Sequence, residues 1–278
     1  MKKILRNQNG VTLIELLVAL VISTILIAGI YRTFIGQQKS FTTQQQVVDV
    51  QQNIRFAISM MMREIKMAGF GNISMVMPGG LTINGTTYNN IVNPHTPVAN
   101  ALTILSGTNT GSTLTTEGGV SQSQIVVSIL TDSQGNQLFD TSNKKYISIG
   151  GVESNIITAV DSGTRTLTLT DPLAFKHEVG TPVFTIRALS YQVLVENGIP
   201  VLKRDDGEGS QPVADGIETL QFQYLDGNGN VTATPANIRI IRASLTAKTN
   251  VQDPDYKEGG GYRRRQIASN IHLRNMGI

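Results

Sequence analysis

The sequence predicts an α+β fold, with a long N-terminal helix packed on an antiparallel β-rich globular domain. Three observations carry this. Residues 11–30 are apolar apart from Thr12, Glu15, Ser23 and Thr24, and no proline occurs before Pro78. Apolar residues then recur every three or four positions from Val47 to Ala68, which draws one stripe along a helix. After residue 124, short runs rich in Val, Ile and Thr alternate with Gly- and Asn-rich turn signals, the pattern of strands and hairpins.

Composition bounds the class. With 278 residues, 40% of them hydrophobic, the chain can build one sizeable core and carry a membrane anchor as well. Its net charge of +3 comes from the first ten residues. Lys2, Lys3 and Arg6 lie there without an acid; removing them takes Lys+Arg from 23 to 20, equal to the 20 Asp+Glu. A chain starting at Val11 is formally neutral, so charge gives no case for a nucleic-acid partner. The absence of cysteine excludes a thiol nucleophile, a disulfide framework and a Cys-ligated metal.

Residues 1–10 read as a basic leader. Twenty helical residues span roughly 30 Å, the thickness of a bilayer core, so residues 11–31 read as a transmembrane helix. The positive-inside rule keeps Lys2, Lys3 and Arg6 cytoplasmic and exports the rest. Glu15 sits inside this span. A carboxylate there costs roughly 2.5–3.5 kcal/mol on insertion scales, so it marks a function and needs a partner. The small residue suited to cleavage is Gly10, before the apolar run rather than after it. Cleavage at Gly10 would keep the helix on the mature chain. It would also leave a new amine at Val11, four residues from Glu15.

The string Gly10-Val11-Thr12-Leu13-Ile14-Glu15-Leu16-Leu17-Val18 resembles the class III signal of type IV prepilins and type II secretion pseudopilins. Val11 stands where that signal most often has Phe. The resemblance implies a pilin-like fold, cleavage between Gly10 and Val11 by prepilin peptidase, and methylation of the Val11 amine. It also implies that the helix holds the subunit in the bacterial inner membrane and later enters a filament core. There Glu15 would pair with the N-terminal amine of a neighbouring subunit.

Helical pattern continues over residues 32–69. Val47, Val50, Ile54, Ala57, Ile58, Met61, Ile65 and Ala68 form the stripe, and Gly69 and Gly71 end it. A continuous helix over 11–68 would be about 87 Å long, with Gly29 and Gly36 as points where it can bend. Met60-Met61-Met62 reads as packing, because no other soft ligand is nearby.

The β-rich domain takes residues 70–278. Pro78-Gly79-Gly80, Asn84-Gly85, Asn93-Pro94 and Gly118-Gly119 punctuate residues 69–124. That region reads as a loop-rich insertion, with a strand or a helical turn at 101–105. Strands are expected at 124–130, 145–149, 155–160, 166–170, 182–187, 189–196, 200–203, 217–224, 238–249 and 266–273. Glu196-Asn197-Gly198-Ile199 is a hairpin signal.

Four blocks, residues 55–70, 213–224, 239–245 and 263–275, resemble PilW-type minor pilins of the type IV pilus. Their order and the chain length favour that family over GspJ-like secretion pseudopilins. The resemblance implies a structural subunit that helps prime pilus assembly in a tip complex. Its partners would be other minor and major pilins and the inner-membrane assembly platform. It would act first in the inner membrane, with a periplasmic C-terminal domain, and then at the cell surface. No catalysis, cofactor or nucleic acid is expected. A GspJ-like pseudopilin is the alternative within the class. A membrane-anchored adhesin or enzyme with an uncleaved signal anchor is the alternative outside it.

Other chemistry is sparse. His95, His177 and His272 are far apart, without metal-ligand spacing. No nucleophile elbow or phosphate-binding glycine loop occurs. Asp226-Gly227-Asn228-Gly229-Asn230 and Asp205-Asp206-Gly207-Glu208 space oxygens as calcium loops do, without the distal glutamate of an EF-hand. Solvated turns are the simpler reading, as they are for Asp253, Asp255 and Glu258. Arg263-Arg264-Arg265 reads as a strand start with its outward residues solvated.

Overall fold

The computed structural model describes residues 11–95 and 100–276. Helix α1 (Leu13–Ile65) is a single element of 53 residues. The chain divides into two compact units, one up to Asp49 and one from Val50. In the first, every residue from 11 to 38 is exposed. This helix is long and apolar enough to cross a membrane, and its exposed Leu, Ile and Val side chains explain why it needs an apolar surrounding.

The second unit begins with the C-terminal part of α1. Its strands follow in order: β1 (Leu81–Ile83), β2 (Thr86–Tyr88), β3 (Val92–Pro94), β4 (Ala101–Thr113), β5 (Gln124–Val126), β6 (Tyr146–Ile149), β7 (Glu153–Asp161), β8 (Thr166–Leu169), β9 (Pro182–Glu196), β10 (Ile199–Asp205), β11 (Ser210–Asp215), β12 (Ile217–Leu225), β13 (Ile240–Lys248) and β14 (Arg264–His272). All their pairings are antiparallel. The β1–β2 hairpin stands by itself, β12-β13-β14 form a three-stranded sheet, and the other nine form one large sheet.

β9 is the hub of the large sheet. One edge pairs with β4 from Pro182 to Gln192. The other pairs first with β6 at 183–185 and then with β10 at 190–196. The sequence had suggested two strands here; the structure joins them without a break. β9 and β10 meet at Asn197 and Gly198, whose φ angles are 51° and 80°. Two positive φ values are what a type I′ hairpin turn requires, and Asn-Gly accepts them most easily. Asn84-Gly85 closes β1–β2 in the same way.

The α1 stripe is buried from Val50 onward: Val50, Ile54, Ala57, Ile58, Met61 and Ile65. It shares one core with Leu220 and Phe222 of β12, Ile241 and Leu245 of β13, and Leu202 of β10. Met61 is fully buried in that core, in the packing role expected of the methionine run. Two smaller cores lie under the rest of the large sheet, one around Phe139, Ile147 and Leu167 and one around Ile73, Leu81 and Ile186.

Residues 69–124 differ most from expectation. The strand that the sequence allowed at 101–105, against a helical turn, is present and runs on as β4, a 13-residue strand on the hub, where the loop-rich reading expected loop. Its second half is Ser, Gly, Thr and Asn, which lowers local strand propensity. The register shifts between Asn109 and Ser112, and Gly111 takes φ 75° there. Gly111 thus marks a bulge inside a strand. β11 was also missed. It contains Pro212, which a strand tolerates at a sheet edge, and β11 is the edge.

Arg264 and Arg265 begin β14, and the arginine run is paired more than the sequence suggested. Arg263 Nη2 lies 2.8 Å from Asp253. Arg264 Nε and Nη2 donate to the two oxygens of Glu218 at 2.6 and 2.9 Å. The Arg264 hydrogen bond holds the Glu218 carboxyl below the usual range against the opposing effect of burial; the charges of Arg264 and Lys248 add to it. A depressed carboxyl pKa contributes stability above the unfolded value of about 4.3, which is lost as pH falls through the folded value. Chemical unfolding of the detergent-held chain between pH 6 and pH 3 should show this loss. Glu218→Gln should reduce the dependence, and an unchanged slope in that variant would refute the assignment.

Candidate functional site

The sequence singles out the start of α1. Val11 and Thr12 precede the helix, and Glu15 lies in its first turn. The Glu15 Oε2 accepts the Thr12 backbone N–H at 2.8 Å and the Thr12 hydroxyl at 2.8 Å. The Glu15 backbone N–H donates to Thr12 Oγ1 at 3.3 Å. This is a reciprocal capping box: a threonine before the first turn and a glutamate three residues on satisfy each other's backbone donors. The two residues fix where the helix starts. Val11, and with it any amine made there, is held one residue from the box.

Glu15 therefore has a local partner, which the sequence reading did not assign. The signal was present as Thr12-x-x-Glu15 before an apolar run. Gly10, Lys2, Lys3 and Arg6 lie outside the described residues.

The other candidates resolve into local structure. Asp226 Oδ1 accepts the backbone N–H groups of Asn228 and Asn230, both at 2.9 Å, so the calcium-like string is a turn closed on its own carboxylate. Asp206 pairs with Arg204 at 2.8 Å, and Glu208 pairs with Lys144 at 2.7 Å. His95 Nε2 meets the Thr103 hydroxyl at 3.0 Å. His177 Nε2 lies 2.9 Å from Glu153 Oε2, with both side chains buried. Glu153 also accepts the N–H groups of Ala174 and Phe175. That pair pins the 171–180 segment onto β7.

A second cluster had no sequence signal. Glu64, on the last turn of α1, accepts from the Tyr191 hydroxyl and from Arg204 Nε, the latter at 3.1 Å to each oxygen. Arg204 also reaches Asp206. Burial, followed by the Glu64 charge, pushes the Tyr191 phenol far above its ordinary value, so it stays protonated and donates. Burial alone would raise the Asp206 carboxyl, but the Arg204 hydrogen bond and charge outweigh it and hold it low. These partners lie 127 and 140 residues from Glu64, beyond the reach of periodicity or motif.

A family model described as the prokaryotic N-terminal methylation motif matches residues 5–31. No curated protein and no solved structure matches the chain. The match supports a prepilin signal of the type IV pilin kind on a pilin- or pseudopilin-like protein. It spans the capping box and the apolar helix, and it ends before the β-rich domain.

Proposed function

We propose that this chain is a minor pilin that helps prime type IV pilus assembly, of the PilW type that its C-terminal blocks resemble. The observation that carries the reading is the coincidence, inside residues 5–31, of a small residue at 10, a capping-box glutamate at 15 and an exposed apolar helix. Lys2, Lys3 and Arg6 would keep the leader cytoplasmic. Prepilin peptidase would cut after Gly10 and methylate the Val11 amine, which stays cationic. The helix would anchor the subunit in the inner membrane with its β-rich domain in the periplasm.

Assembly would then move α1 from lipid into a bundle of like helices. In lipid, the Thr12 box offsets part of the cost of the Glu15 carboxylate. In the bundle, a neighbour's Val11-type amine would supply the opposite charge. An apolar setting makes an unpaired carboxylate costly, so the pairing favours one register. The β-rich domain would choose the neighbours, which are other minor pilins at the tip. The protein itself would catalyse nothing.

N-terminal mass analysis of the membrane form tests the reading. A methylated chain starting at Val11 is expected. An intact Met1 on the mature protein would overturn it in favour of an uncleaved signal anchor. Deletion of the gene should abolish piliation; lost type II secretion with normal piliation would instead assign a GspJ-like pseudopilin.

A further inference from the structure

A cavity of about 250 Å³ lies where the end of α1 meets β9 and β10. Three guanidiniums line it: Arg63 of α1, Arg187 of β9 and Arg204 of β10. Glu64 and Asp206 also line it, and both are held by Arg204. Arg187 gives its Nη1 to Glu208 at 3.2 Å, and Glu208 also takes Lys144. The cluster thus contains four cations, Arg63, Lys144, Arg187 and Arg204, against three carboxylates, Glu64, Asp206 and Glu208.

The surplus charge has a definite place. Arg204 is committed on two sides. Arg187 Nε is buried and meets no acceptor among the described residues. A buried donor on a charged group is rarely left unpaired in a native fold. Arg63 is exposed at the rim. The edge of Arg187 away from Nη1 carries Nε–H and Nη2–H side by side, the fork that takes a carboxylate through two parallel bonds.

We propose that this cavity is a carboxylate seat, which takes a single carboxylate between Arg187 and Arg63. One negative charge balances the cluster; a doubly charged phosphate would overshoot. The volume suits a carboxylate group and excludes a drug-sized ligand. The carboxylate comes either from a free small acid or from an acidic side chain of a neighbouring protein. Uptake turns the Arg187 head so that its covered Nε–H edge meets the ligand. The seat uses nothing of the N-terminal segment, so it stands or fails separately from the pilin reading.

Calorimetric titration of the detergent-held full chain at fixed ionic strength tests it, with acetate, inorganic phosphate and a terminally blocked peptide bearing one glutamate. Acetate and the peptide should each saturate one site per chain. Arg187→Gln and Arg63→Gln should each weaken uptake by about tenfold, as expected for one lost charge-assisted contact. Arg63 is exposed, so its variant keeps the test alive if Arg187→Gln fails to fold. Peptide binding tighter than acetate assigns a protein source, and equal affinity assigns a free acid. Three results would overturn the seat: no saturable uptake of either, uptake unchanged in the folded variants, or phosphate displacing both.

Discussion

Glu15→Val should leave cleavage after Gly10 intact and remove the chain from sheared filaments. Two effects are separable in that substitution. The first is local: Glu15 supplies one half of the capping box with Thr12, and losing a cap costs a helix about 1 kcal/mol. The second is the charge. A carboxylate at the centre of a spanning helix costs roughly 2.5–3.5 kcal/mol on insertion scales, an upper bound for Glu15 in the first turn, and in the proposed bundle that cost becomes a preference for the register that supplies a cation. Valine removes the cost and the preference together, so the subunit should accumulate, processed, in the inner membrane.

Thr12→Ala separates the two effects. It breaks the box but keeps the carboxylate, so incorporation should fall only modestly. Subunit abundance in sheared filaments against membranes, with N-terminal mass on both fractions, reads the outcome. Equal losses in the two variants would mean that the helix start matters and the charge does not. Normal incorporation of Glu15→Val would end the pairing proposal.

Legibility in the sequence followed the range of the interactions. The helical stripe was readable because its period is local, and seven of its eight members are buried where the spacing placed them. The Asn197-Gly198 turn was readable for the same reason: two residues fix the hairpin. β4 was readable only at its apolar start, where 101–105 allowed a strand or a helical turn; the rest depends on β9, more than 60 residues away, and its own Gly and Asn argue against a strand. β11 was lost to Pro212, whose tolerance depends on an edge position that only the finished sheet defines. The same limit applied to the candidate sites. The processing signal and the capping box are short strings and could be read. The Glu64–Tyr191–Arg204 cluster could not, since its members meet only after the helix docks on β9 and β10.

That docking is why Glu64 should dominate the stability of the β-rich unit. Its side chain is 19% exposed and that of Arg204 is 17%, while Tyr191 is fully buried. Glu64→Ala leaves the Tyr191 hydroxyl and Arg204 Nε without their acceptor. Leaving those two donors unsatisfied costs about 2 kcal/mol, since Arg204 keeps its charge partner Asp206. Glu64→Gln keeps the shape and one acceptor oxygen and should cost about half as much. The denaturant midpoint of the detergent-held chain measures both. If the cost lies in the Arg204 Nε left without an acceptor rather than in lost packing, Arg204→Met in the Glu64→Ala background should recover part of the loss. A double-mutant cycle would show that as a coupling energy beyond additivity. Additive losses would instead place the cost in the packing of α1, and Glu64 would then be one contact among many along the helical stripe.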